Sequence, residues 1–430
     1  MGLSGIAITD HECLSAHMEV NQFMKKFREE HPEFIVALGN EIYLTNTRDS
    51  GQKYYHFNLI AKDEIGHRAL RELSSIAWRN SYVDRRMERV PTLKAELQEV
   101  IGRYRGHVIA TTACMGGELS TNALLMAEAQ KVNDMKSAQY FYNEICEFIK
   151  FCLDVFGDDF YIECAPSTKW DQIEVNKKLY AIAQAYNIPL TVGTDAHYLT
   201  LQDREIHKAY LNSKEGEREV DDFYEFARLM SPDECRELLH HSFESDLIID
   251  QIFSNSLHLM EKIKWYSLER KQVIPKVEVK DYPQYRCDVF TNCPTLNELI
   301  RSDNPQERYW VHECHQELVK KGICNNEYLA RLEIEADIIK YIGEKLDDCL
   351  FAYFNTFKHY IDLFWECGSI VGPGRGSATG FLSNYLLGIT QLDPIRWNLP
   401  YWRFLNKERA ELPSLLLILG SCKKRTLTVA

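Results

Sequence analysis

Short apolar runs alternate with helical patterns through the first two hundred residues, and this rhythm constrains the fold more than any other feature. The runs are Gly5-Ile-Ala-Ile-Thr9, Phe34-Ile-Val-Ala-Leu38, His107-Val-Ile-Ala110, Phe160-Tyr-Ile-Glu163 and Pro189-Leu-Thr-Val-Gly193. Unbroken apolar runs of this kind suit parallel strands covered on both faces. Between the last two, Ile173, Leu179, Ile182 and Tyr186 fall near one face of a helix predicted over 172–186. Strand–helix–strand order predicts an α/β sheet or barrel. From about 207 to 263 the pattern is mostly helical. Residues 266–305 carry Pro275, Pro283, Pro294 and Pro305 and read as an extended connector. Leu329, Leu332, Ala336 and Ile339 then mark an amphipathic helix. A Gly-rich turn at 372–376 leads into a helix predicted over 377–387.

Composition narrows the function classes. The chain has 430 residues, 45% hydrophobic and 26% charged, which fits two or three globular domains and excludes wholesale disorder. Its 50 Lys and Arg against 63 Asp and Glu leave a net charge of −13. That excludes a small basic DNA-coating protein but not a nucleic-acid enzyme, whose cations need only line one groove. Thirteen cysteines, an odd number with no Cys-x-x-Cys pair, predict reduced thiols in the cytoplasm and not a disulfide framework. The longest aliphatic run, 415–419, is far shorter than the ~20 residues of a membrane helix, so no membrane partner is expected. The first ten residues lack the basic and apolar segments of a signal peptide.

Candidate metal ligands stand at or near the ends of the predicted strands. Asp10 and His11 follow the first run, Glu41 the second, Cys114 the His107 run, and Asp195 and His197 the last. His56 lies in a further apolar segment, 54–60. The C-terminal rim of a parallel barrel is where sites are built. Imidazole, carboxylate and thiolate hold Zn or Mn, and a bridging carboxylate such as Glu41 can hold two ions that clamp a phosphate. Taken singly, each histidine also fits a structural or surface role, and Cys114 a small buried residue.

A second constellation is Val371-Gly-Pro-Gly-Arg-Gly-Ser-Ala-Thr-Gly380. Glycines let backbone amides approach an anion, a helix start adds positive potential, and Arg375 supplies a fork of donors. The pattern points to a phosphate-binding turn, though a tight turn needing positive φ accounts for it as well. It is neither a Walker A loop nor a Rossmann fingerprint.

The segments Ile8-Thr-Asp-His11, Gly39-Asn-Glu41, Ala110-Thr-Thr-Ala-Cys-Met-Gly-Gly-Glu118 and Gly193-Thr-Asp-Ala-His-Tyr-Leu199 resemble successive motifs of the PHP (polymerase and histidinol phosphatase) domain. They are most similar to the version in bacterial C-family replicative polymerases, the DNA polymerase III alpha subunits. Tyr328-Leu-Ala-Arg-Leu-Glu-Ile-Glu335, Gly372-Pro-Gly-Arg-Gly-Ser-Ala378, Tyr385-Leu-Leu-Gly-Ile-Thr390, Asp393-Pro394 and Arg403-Phe-Leu-Asn-Lys-Glu-Arg409 resemble the start of that family's palm. The resemblance covers about 5–413. It implies a distorted (βα)7 barrel over 1–206, a helical and extended connector over 207–310, and the start of a nucleotidyltransferase-like α+β palm over 311–430.

The resemblance also implies roles. His11, Glu41, His56, Cys114, Asp195 and His197 match ligand positions of a site for up to three metals, which supports 3′→5′ exonuclease or phosphoesterase activity in polymerases that retain it. Glu41, His56 and Cys114 are expected to form the metal position that survives. Gly374, Arg375, Gly376 and Ser377 match the segment that cradles the β- and γ-phosphates of a dNTP. Arg403 and Arg409 match arginines beside the nucleotide. Primer–template DNA and replisome subunits are the implied partners.

Two departures weigh against full activity. The family's first motif, a His-x-His pair on the first barrel strand, should precede Gly5, so the barrel is expected to lack that strand and two metal positions are left incomplete. Three aspartates that hold Mg in the family fall on Ser414, Leu416 and Ile418, none of which is a carboxylate and two of which are aliphatic and cannot ligate Mg. The chain is therefore expected to be a partial alpha subunit that does not polymerise, read as a fragment ahead of a degenerate paralogue. A PHP-type metal-dependent phosphoesterase and a non-catalytic nucleotide- or DNA-binding remnant are the alternatives.

Overall fold

The computed structural model describes residues 2–49, 51–84, 87–213, 224–270 and 273–408. Its contacts divide the chain into two compact units, Met1–Arg270 and Lys271–Ala430. Arg409, Ser414, Leu416 and Ile418 lie outside the described residues.

The first unit opens with β1 (Gly5–Ile8), α1 (His17–Glu30), β2 (Ile35–Thr45), β3 (Tyr55–Ala61) and α2 (Glu64–Arg79). A small hairpin of β4 (Tyr82–Asp84) and β5 (Met87–Arg89) precedes β6 (Pro91–Leu93) and α3 (Lys94–Arg103). Then come β7 (Val108–Thr111), α4 (Glu118–Lys131), α5 (Met135–Phe156), β8 (Phe160–Cys164), α6 (Trp170–Tyr186) and β9 (Leu190–Val192). Helices α7 (Arg204–Asn212), α8 (Pro232–Leu239) and α9 (Asp246–Glu261) complete it.

All five predicted strands form. Their sheet runs β1-β2-β3-β7-β8-β9, with β6 also on β2, and the path stays open between β1 and β9. It is a curled half-barrel of the α/β class. The runs read as parallel pair so in β1–β2, β7–β8 and β8–β9, whereas β3, from the further apolar segment, is antiparallel to both β2 and β7. The connection between β2 and β3 is too short to hold the crossover helix that a parallel pair needs. This reversal puts the start of β3, with His56, at the same rim as the ends of its neighbours.

Alternation along the strands gives the sheet two faces. Ile42, Leu44, Phe57, Leu59, Val108, Ala110, Phe160 and Ile162 pack under the helices in the main core. On the other face Ala37, Ile60, Ile109 and Tyr161 meet Leu259 of α9 in a smaller cluster. Further along that face the same register brings Asn58, Thr111 and Glu163, and at the rim Glu41 and His56. The predicted apolar face of α6 is rotated: Val175, Asn176, Leu179 and Ala183 are buried, while Tyr186 is exposed. Asn176 turns inward because its amide bonds to the Ala165 carbonyl (2.8 Å) and the Ser242 hydroxyl (2.9 Å).

In the second unit the described elements are helical: α10 (Pro294–Leu299), α11 (Pro305–Lys320), α12 (Asn326–Leu346), α13 (Leu350–Glu366) and α14 (Leu382–Leu386). Trp310, Phe351, Phe354 and Phe381 are fully buried at its centre. The amphipathic helix is α12, with Leu332, Ala336 and Ile339 buried. It begins where the Asn325 side chain accepts the Glu327 and Tyr328 amides.

The proline-bearing stretch before α10 is extended, yet it packs. Ile274, Phe290 and Cys293 join the second core. Side chains of the helices bind its carbonyls: Gln306 that of Val277 (2.7 Å), Arg308 that of Tyr282 (2.7 Å) and Thr356 that of Pro275 (2.9 Å). The helix predicted over 377–387 is instead a 3-10 turn, Gly376–Gly380, followed by the single turn of α14. Phe381, in extended conformation at φ −98° and ψ 123°, separates the two. No helix among the described residues is long and apolar enough to cross a membrane.

Candidate functional site

The predicted metal donors converge at one rim of the half-barrel. The parallel register of β1 and β2 continues past β1 as a bridge between His11 and Glu41. The Glu41 amide donates to the Asp10 carbonyl (3.1 Å), so Asp10 contributes backbone here while its side chain is exposed. His56 is held by its own amide on the Gly116 carbonyl (3.0 Å), and its ring packs beside Gly116. Cys114 follows Ala113, whose φ of +56° turns the chain after β7. Asp195 also has positive φ, +44°, and His197 Nδ1 lies 2.8 Å from its carbonyl oxygen.

Two overlapping donor groups result: His11, Glu41 and His56, and Glu41, Cys114 and Asp195. The expected triad of Glu41, His56 and Cys114 is thus spread over both, with Cys114 Sγ 3.5 Å from His56 Nδ1. His197 stands at the margin, its Nδ1 3.7 Å from Asp195 Oδ1 and its ring 6.0 Å from that of His11.

Glu41 is 4% exposed and central to both groups. Its Oε1 lies 2.6 Å from His56 Nδ1 and 3.6 Å from His11 Nδ1, yet it takes part in no hydrogen bond. A buried carboxylate oxygen so close to two ring nitrogens, without hydrogen-bond geometry, is what a donor set aimed at a shared cation presents. Burial pushes the Cys114 thiol far up, and Asp195 and Glu41 add to this. Asp195 is raised by burial and then by Glu41, and His11 is lowered by burial. Each shift disfavours the charged state in the absence of a cation, and a divalent ion reverses that for the acids. Nitrogen, oxygen and sulfur donors together fit a divalent metal.

Sequence reasoning missed Glu163, just below this rim. Its carboxyl is raised to about 7, chiefly by burial. The signal was present: Glu163 is two residues from Tyr161, and so shares its face of β8.

In the second unit, Gly374 has φ +116° and Gly376 φ +66°, so the Gly-rich stretch is a tight turn with left-handed glycines. A Cβ on Gly374 would also press on Thr379 and Thr390 at 2.8 and 3.0 Å. Arg375 is exposed, Ser377 half-buried, and Arg403 exposed on the turn Tyr401–Arg403. These two turns are joined by Arg331, whose Nη2 donates to the Gly380 (2.6 Å) and Leu399 (3.1 Å) carbonyls. Glu335, fully buried, accepts Arg331 Nε (2.9 Å) and the amides of Leu382 (2.6 Å) and Ser383 (2.8 Å). The loop is therefore fixed from beneath by an ion pair on α12.

Residues 1–167 match the PHP domain family, and residues 303–416 match the bacterial DNA polymerase III alpha NTPase domain. The chain thus carries, in order, a match to the PHP domain and a match to the polymerase III alpha NTPase domain. A DNA-directed DNA polymerase of Bacillus phage SPbeta is 38% identical over 96% of the chain and 34% of its own length. The DNA polymerase III subunit alpha of Aquifex aeolicus is 28% identical over 84% of the chain and 28% of its own length. That of Campylobacter jejuni is 26% identical, over 96% and 33%. The chain thus spans about a third of the length of these polymerase relatives. Its PHP domain carries the rim donors up to Cys114, and its NTPase-domain match includes the Gly-rich turn.

Proposed function

We propose that this chain is the PHP half-barrel and proximal palm of a replicative DNA polymerase alpha subunit. In this reading the Gly-rich turn receives the β- and γ-phosphates of a dNTP beside primer–template DNA. Gly374, Gly376 and Ser377 offer backbone amides, and Arg375 and Arg403 offer exposed guanidinium groups. Arg409 is assigned the same neighbourhood by resemblance. The observation that carries the reading is the pairing of the two family matches with the Arg331–Glu335 support under the turn.

Zn or Mn is the metal proposed for the rim of the first unit, held by His11, Glu41, His56, Cys114, Asp195 and His197. Bound there, a divalent cation supplies an acidified water and a clamp for phosphate oxygens. Glu41 bridges the two donor groups, and the Cys114 thiol must release its proton to bind. The convergence of these donors favours a second reading, a PHP-type phosphoesterase or 3′→5′ exonuclease acting on nucleic-acid ends. The setting proposed is the cytoplasm, alongside replisome subunits.

Ser414, Leu416 and Ile418 offer no carboxylate where the family holds Mg, so the chain is expected not to extend a primer. Binding of dNTP is the direct test. Arg375→Ala should weaken it about tenfold or more, as loss of a charge-assisted contact of roughly 1.5–3 kcal/mol implies. Unchanged binding in that variant, or primer extension by the chain, contradicts the reading.

A further inference from the structure

The Glu163 carboxylate sits where four strands of the half-barrel meet. Its Oε2 accepts the Thr111 hydroxyl of β7 at 2.5 Å and faces the Asn58 amide of β3 at 3.4 Å. Its own amide donates to the Thr112 hydroxyl at 3.0 Å. Across β9 it pairs in register with Thr191. Its Oε1 occupies the space beside Gly193, where an added Cβ would come within 1.9 Å. Gly193 therefore has to be glycine for this carboxylate to lie where it does, and its φ is not in the left-handed region.

Each partner leads to a rim donor. Asn58 is the register partner of Glu41 and two residues from His56. Thr111 is three residues before Cys114, and Gly193 two before Asp195. Asn58 is 9% exposed, and its Oδ1 has no hydrogen-bond partner, so this layer is polar and not fully satisfied without a further group.

We infer that Glu163 is a positioning residue for the rim metal centre, tying β3, β7, β8 and β9 together beneath Glu41, His56, Cys114 and Asp195 and adding negative charge under the cation. The role rests on the metal reading above. Glu163 does not itself ligate the rim cation; it acts through the strands and through Asn58.

The test is calorimetric titration of the full chain with Mn²⁺ and with Zn²⁺. Groups that orient metal ligands are typically worth about 10–100-fold in affinity. Glu163→Ala should weaken binding by that order, and Glu163→Gln, which keeps the bond from Thr111 but not the charge, should fall between. Gly193→Ala should weaken binding in the natural chain, because it displaces the carboxylate. On the Glu163→Ala background it should do nothing more. Urea midpoints in chelator should stay within a small margin of the natural chain for Glu163→Gln, which separates positioning from general damage. Natural-strength binding in Glu163→Ala, or losses from Gly193→Ala and Glu163→Ala that simply multiply, overturns the role while leaving the metal centre intact. A natural chain that binds neither ion overturns the metal centre and this role together.

Discussion

Single residues carry the second unit's order to an unusual degree at Glu335. It has no exposure, and its two oxygens serve one guanidinium and two backbone amides. Burial raises its pKa while those amides and Arg331 act against the rise. Removing one partner of a buried pair leaves the other charge uncompensated, typically at a cost of 3–5 kcal/mol. Glu335→Ala should therefore destabilise the second unit by about that amount, seen as an earlier urea transition in the near-UV signal. A variant with an unmoved transition would show that the pair does not support the turn. Of these contacts the sequence showed the Arg331 and Glu335 motif and the glycines, but not that one holds the other. The link is made across forty-odd residues by backbone carbonyls and amides, which side-chain patterns do not record.

At the scale of elements, α1 and α2 meet through two buried histidines. His17 Nδ1 lies 3.0 Å from His67 Nε2, and His67 Nδ1 has no hydrogen-bond partner. Burial lowers both rings, His67 from 6.5 to about 4, with Arg71 and His17 adding to it. Asp10 and the Gly39 carbonyl act the other way on His17, and the Tyr266 ring packs on His67 at 5.9 Å. The folded pKa is depressed, so the unfolded chain takes up protons below about 6.5 that the folded chain refuses until about 4. The stability tied to neutral His67 is thus complete above pH 6.5 and is lost as pH falls toward 4, amounting to roughly 3 kcal/mol. Urea unfolding at pH 7.5 and pH 5 should show a fall that His67→Leu reduces. An equal fall in both would mean the pair does not sense pH. The elements themselves were legible where apolar runs were unbroken. The direction of β3 was not, because an antiparallel strand buried on both faces has the same composition as a parallel one. The α6 face was misjudged for a related reason: Asn176 is buried by hydrogen bonds that hydropathy cannot foresee.

Over the whole molecule, five of the six donors expected from the sequence, His11, Glu41, His56, Cys114 and Asp195, fall into two groups that share Glu41, with His197 at their margin. The sequence could not place the layer below, since Glu163 looks like one more polar residue until the register assigns its face. By resemblance, Ser414, Leu416 and Ile418 stand where the family holds Mg²⁺ and offer no carboxylate, which is the ground for expecting no polymerisation. What remains for the first unit is a donor set of imidazole, carboxylate and thiolate whose central oxygen is buried without a hydrogen bond. The central claim is that this rim binds a divalent metal through Glu41. Metal content of the purified chain, with and without Glu41→Ala, tests it most directly. The account predicts at least one bound Zn or Mn per chain, lost in Glu41→Ala with the far-UV signal unchanged. A metal-free natural chain that takes up neither ion, or a variant that keeps its metal, would contradict it.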